Sequence, residues 1–216
     1  MKLVPLGDQA LLAYCTDEPA AVRFAAAVQN ATLPWLLDVV PAYASVGVYF
    51  DADAIRLAEV VRILEALPVA ESAVSVGRRH IIPVSYERGP DLGKVAEHLA
   101  LSVEQVIGLH TSAEFTVHAI GFVPGFPYLG YLPAELCGVP RLGSPRVRVE
   151  PGSVGLTGRQ TGIYPLPRPG GWHLIGRTPL TLVDVAAGYF PLRVGDRVQF
   201  ERIDEAEYRR REGERL

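Results

Sequence analysis

Apolar residues recur along this chain with three different rhythms, and each rhythm predicts a different kind of segment. Residues 2–15 hold two short alternating runs about Gly7-Asp8, with Leu3, Leu11, Ala13 and Cys15 on one face, which predicts a hairpin. An Ala-rich stretch then runs to Val28 behind Thr16 or Asp17, with Glu18 and Pro19 in its first turn, the composition of a capped helix. Leu36–Ala42 and Ser45–Phe50 are β-prone runs separated by a small turn. After Asp53, expected as a cap, Leu57, Val60, Val61, Leu64 and Leu67 fall at three- and four-residue spacing, with Arg56, Glu59, Arg62 and Glu65 opposite. Strand, strand, helix, strand, strand, helix predicts a small two-layer α/β domain over 1–77, and Pro68–Gly77 reads as the linker.

The rhythm changes beyond it. Arg79–Tyr86 alternates as a strand, a short helix places Leu92, Val95, Ala96 and Leu99 inward, and Ser102 with Gln105 forms a capping-box pattern for a helix ending near His110. From Glu114 onward only short strands and turns are expected, up to a charged tail, Asp204–Leu216, read as solvated or frayed. A second domain over 78–216, compact and mostly β, follows, so the fold class is α+β.

Composition sharpens one stretch. The window from Gly121 to Gly195 holds 14 of the 21 Gly and 11 of the 18 Pro, which rules out long helices there. It also holds seven Arg, no Lys and three acids, a net of +4 in a chain of net −3. Tyr128, Tyr131, Tyr164 and Trp172 are interleaved with those Arg, a composition suited to recognising carboxylates, phosphates or a partner's backbone. Phe122 is assigned to the core, while Tyr128 serves either core or groove. Ser153 lacks the Gly-x-Ser-x-Gly setting of a nucleophile elbow. No Walker A or dinucleotide-binding glycine pattern occurs, and the five His show no metal-ligand spacing, so no metal is expected. Cys15 and Cys137 are read as unpaired core thiols. The start carries no signal-peptide pattern and no run is long enough to span a bilayer, so a cytoplasmic protein that binds neither membrane nor nucleic acid is expected.

The runs GFVPGFPYLGYLP, PRLGSPR, EPGSVGLTGRQTGIYP and PGGWHLIGRTP, with GDQALLAY, PAYASVGVYFD, IPVSYERGPDL and LHTSAEFTVHAIGF upstream, resemble the allophanate hydrolase subunit 1 family. That family includes the B subunit of ATP-dependent 5-oxoprolinase and the sporulation kinase inhibitor KipI. The resemblance implies a cyclophilin-like β-barrel for the second domain. It also implies a subunit, inactive alone, of a complex with A and C subunits that opens 5-oxoproline to glutamate using ATP, with no nucleotide site assignable to this chain. The alternative it implies is a KipI-like protein that binds a sensor histidine kinase without catalysis. The resemblance places a His at position 110, so His110 either caps its helix or moves a proton. His173 is equally open. Arg146, Arg159 and Arg177 are expected to bear the site's charge as projecting side chains whose loss spares the fold, with Tyr128, Gln160, Tyr164 and Trp172 orienting substrate or partner. Glu150 stands where the family usually has Pro, which sets a carboxylate beside this basic stretch.

Overall fold

The computed structural model describes residues 1–70 and 77–216. It divides into two compact units, Met1–Val76 and Gly77–Leu216. Most of the expected linker, residues 71–76, lies outside the described residues.

The first unit contains β1 (Lys2–Pro5), β2 (Ala10–Tyr14), α1 (Glu18–Asn30), β3 (Leu36–Ala42), β4 (Ser45–Phe50) and α2 (Leu57–Ala66). Its strands form one antiparallel sheet in the order β1-β2-β4-β3. Leu11, Ala13, Val46, Val48 and Phe50 alternate onto one face, where they pack with Phe24 and Val28 of α1 and Val60 and Leu64 of α2. Burial of that kind is worth about 1.5–3 kcal/mol for each large side chain, which fixes the register. Asp17 caps α1 as its sequence implies, accepting from the Ala20 amide at 2.7 Å. Asp53 does not cap α2. That helix begins after Arg56 without a side-chain cap bond, and Asp53 lies in a preceding turn where its amide donates to Asp51 Oδ1.

The second unit opens with β5 (Arg79–Val84), α3 (Leu92–His98) and α4 (Val103–Ser112), and continues through β6 (Glu114–Ile120), β7 (Pro127–Gly130), β8 (Arg146–Val149), β9 (Ser153–Thr157), β10 (Gln160–Ile163), β11 (Arg168–Gly170), β12 (His173–Arg177), β13 (Arg197–Arg202) and α5 (Glu205–Arg210). The capping box of α4 is complete: Gln105 N donates to Ser102 Oγ and Ser102 N donates to Gln105 Oε1. Seven strands form a sheet in the order β12-β9-β10-β7-β6-β13-β5. Its two ends meet, because Ser85, just past β5, exchanges both backbone hydrogen bonds with Arg177 of β12. Closure of this kind leaves no unpaired edge at that seam. The barrel interior is filled by Ile82, Val84, Phe115, Val117, Leu129, Leu156, Ile163, Ile175, Val198 and Phe200. The fold class is thus α+β, as the sequence implies.

The tail departs from expectation. Asp204 caps α5, Tyr208 is buried, Thr181 pairs with Arg215, and Leu216 packs against the core. The buried Tyr208 ring, a few backbone bonds and the ion pairs Arg88–Glu205 and Arg215–Asp184 hold this largely charged segment.

Candidate functional site

Strand alternation gives the barrel two faces, and the outer one carries a second, smaller core. In β7, Leu129 points into the barrel while Tyr128, with Phe126 just before the strand, belongs to the outer group; Ile163 and Tyr164 divide in the same way, as do Ile175 and Leu174. Phe126, Tyr164, Trp172, Leu174 and Val149 thereby form a separate apolar cluster on the outer face. The antiparallel pair β8 and β11 supplies Val149, Pro169 and Gly170 to this region.

The aromatic rings line a cavity of about 220 Å³, whose lining includes Phe122, Tyr128, Tyr164, Trp172 and Arg141. Phe126 forms its floor, in edge-to-face contact with Phe122, Tyr128, Tyr164 and Trp172 at 5.0–5.6 Å between centroids. Such pairs are worth about 0.5–1.5 kcal/mol beyond the area they bury, so the box is stiff before any ligand arrives. Two glycines make it possible. A Cβ on Gly162 would lie 3.0 Å from both Phe126 and Trp172, and one on Gly170 would lie 2.5 Å from the Tyr164 hydroxyl oxygen. Phe122 occupies the rim with a φ of +64°, unusual for a ring-bearing residue, and is 59% exposed. It is therefore not a core residue as expected. The tight turn Gly121–Phe126, closed by bonds from Gly121 N to Phe126 O and Phe126 N to Val123 O, holds it there.

Burial pushes the phenols of Tyr128 and Tyr164 upward, Arg141 acting on both in the opposite direction, so both are protonated donors at neutral pH. Arg141 is exposed and has no carboxylate partner among the described residues. The box thus offers apolar walls, two phenols and one uncommitted cation.

Of the residues expected to form a site, Tyr128, Tyr164 and Trp172 meet here. The others do not. Arg146 is committed to an internal pair, its Nη2 donating to both carboxylate oxygens of Asp91 at 2.7 and 2.6 Å and its Nη1 to the Trp172 carbonyl. Asp91, 1% exposed, also accepts from the Leu174 amide, so this pair ties the start of α3 to β12. Arg159 stacks over Tyr131 at 4.6 Å beside Gln160, at the turn between β9 and β10. Arg177 donates through Nε to the Pro151 carbonyl in a separate cavity. Glu150 pairs with Arg148, which leaves each of those charges locally neutralised.

His110 has no exposed surface. It stacks on Phe200 at 4.4 Å, inside the barrel core. Thr161 uses its only hydroxyl proton on the Gly155 carbonyl, so it must accept from His110 Nε2; Nδ1 is then an acceptor and takes the Tyr86 hydroxyl proton at 2.7 Å. Every polar atom of the chain Tyr86–His110–Thr161 is satisfied by the neutral ring. Burial lowers His110 to about 3. A helix-capping role is absent as well. His173 is half-buried, its Nδ1 without a partner among the described residues, and burial lowers its pKa. Cys15 and Cys137 are free, and among the described residues no group of three or more His, Cys, Asp and Glu could hold a metal ion. No helix among them is long and apolar enough to cross a membrane.

Sequence reasoning assigned Phe122 to the core and counted Arg141 among seven arginines without singling it out. The signal existed for Arg141, which follows Pro140 with no acid nearby in sequence. For Phe122 the flanking Gly121 and Pro124 were the only hint that its ring faces outward.

Residues 1–190 match the family model described as carboxyltransferase domain, subdomain C and D. The chain belongs to this family. Among members of the carboxyltransferase C and D family, it is 38% identical over 94% of its length to the B subunit of 5-oxoprolinase from Bacillus subtilis, covering 93% of that protein. A protein of the same description from Escherichia coli O157:H7 is 54% identical over 55% of this chain and 56% of its own. The crystal structure of TTHA0988 superposes with a TM-score of 0.80 at 37% identity; 91% of this chain matches, but that is 40% of the TTHA0988 chain.

Proposed function

We propose that this chain is a subunit of a 5-oxoprolinase, which opens the lactam of 5-oxoproline to glutamate with ATP in a complex with A and C subunits. The reading rests on the end-to-end similarity to a protein described as the B subunit of 5-oxoprolinase. The aromatic box is the part of this chain that fits the substrate. A small lactam ring packs between Phe122, Tyr128 and Trp172, the carboxylate pairs with Arg141, and the buried phenol of Tyr164 donates to the lactam oxygen as charge develops on it. In this role the chain binds and orients, and the ATP step belongs to the assembled complex.

The test is reconstitution with candidate A and C chains, measuring ATP hydrolysis with and without 5-oxoproline while omitting each chain in turn. Turnover that depends on 5-oxoproline and on this chain, and that falls in Arg141→Met, is expected. Stimulation that persists without this chain would overturn the proposal.

A further inference from the structure

A second cavity, of about 320 Å³, lies between the turn at Pro151 that leads into β9, the segment following β12 and the C-terminal helix α5. Its apolar wall comes from Leu166, Leu180 and Leu182, and its polar groups are Arg177, Tyr208 and Glu212. The roof, Tyr208 to Gly213, follows the residues that the family model matches.

Three polar groups of this cavity have no full set of partners among the described residues. Tyr208 is 2% exposed, and its ring is pinned beneath the Arg88 guanidinium at 3.9 Å, yet its hydroxyl has no hydrogen-bond partner among the described residues. Because Tyr208 lines the cavity, that hydroxyl is available to donate to a group bound there. Arg177 spends only Nε, on the Pro151 carbonyl at 2.9 Å; its two terminal nitrogens have no acceptor among the described residues. Glu212, exposed at the mouth, has no cation in hydrogen-bond contact among them. These charges act together on one group: burial raises the Tyr208 phenol, Arg177 and Arg88 lower it, and Glu212 raises it again.

One free cation, one free carboxylate, one idle hydroxyl and a leucine wall sum to a neutral, dipolar surface. A dianionic phosphate would meet Glu212 unfavourably, and a simple fatty acid would leave that carboxylate unused. We propose that this cavity binds an α-amino acid with an aliphatic side chain, its carboxylate held by Arg177 and the Tyr208 hydroxyl, its ammonium by Glu212 and its side chain against Leu166, Leu180 and Leu182. The site is separate from the aromatic box and stands independently of the 5-oxoprolinase reading.

Calorimetric titration of the full chain tests it, with L-leucine, isocaproate, isopentylamine and inorganic phosphate as probes. L-leucine binds the wild type, whereas isocaproate and isopentylamine, each lacking one charge, bind roughly tenfold more weakly or worse. Glu212→Gln removes the preference for L-leucine over isocaproate, and Tyr208→Phe weakens both. Glu212 is exposed, so its variant folds even if Arg177→Met does not. No binding of L-leucine at millimolar concentration, equal binding of isocaproate, preferential binding of phosphate, or indifference to Glu212→Gln would each overturn the assignment.

Discussion

Arg146→Ala should unfold the second unit early, although a surface arginine in a turn-rich stretch ordinarily tolerates truncation within about 0.5 kcal/mol. The substitution deletes three hydrogen bonds, two of them from Nη2 to a carboxylate only 1% exposed. Asp91 then keeps a single donor from outside its own turn, the Leu174 amide at 2.8 Å. Breaking a buried pair by removing one partner costs about 3–5 kcal/mol. The guanidinium side is 28% exposed, so water recovers part of that, and about 3 kcal/mol remains. For a domain of this size that corresponds to a fall of about 6–12 °C in the melting temperature. The assay is thermal unfolding followed by tryptophan fluorescence, because Trp172 lies beside the pair and reports the second unit while Trp35 reports the first. The double variant Asp91→Leu with Arg146→Met, which leaves no charge behind, should recover much of the loss. A single Arg146→Ala variant that melts within about 1 °C of wild type would refute the reasoning and return Arg146 to the pool of binding residues.

His110, held near 3 when folded against about 6.5 when unfolded, takes up its proton more readily in the unfolded chain, so the stability it allows is complete above about pH 6.5 and is lost as pH falls toward 3. Urea unfolding should therefore show wild type losing about 3 kcal/mol more than His110→Gln between pH 6.5 and 4, and parallel curves for the two would contradict this. Phe122→Ala should melt within about 1 kcal/mol of wild type, because the ring is 59% exposed and the backbone is already strained, while ligand affinity at the aromatic box drops roughly tenfold by calorimetry. Gly170→Ala should displace Tyr164, whose hydroxyl oxygen lies 2.5 Å from the new Cβ position, and a crystal structure of the variant showing an unmoved ring would rule that out.

What could be read from the sequence was what neighbouring residues decide. The caps at Asp17 and Ser102, the hairpins and the stripe of α2 depend on contacts within a few positions, and all were visible in the pattern. The pair between Asp91 and Arg146 spans 55 positions, and nothing local marks either residue as half of it. The same distance problem hid His110, whose partners Tyr86 and Thr161 lie 24 and 51 positions away on different elements. Tyr128, Tyr164 and Trp172 were found because aromatic residues among Gly and Pro stand out, but the arginine beside them was not singled out. Choosing among seven arginines requires knowing which have already found an acid.

The pairing of the second unit's first strand with its last bears on when this protein can begin to work. β5 is the first strand of its unit and lies parallel to β13, the last, with Arg78 and Asp196 hydrogen-bonded across 118 positions. On a ribosome adding about 5–20 residues per second, β5 waits roughly 6–24 s for that neighbour to be made. Throughout that interval Ile82 and Val84, later sealed inside the barrel, lack the strand alongside which they lie. Nascent chains stalled before β13 should accordingly recruit chaperones, and chains released just after it should not.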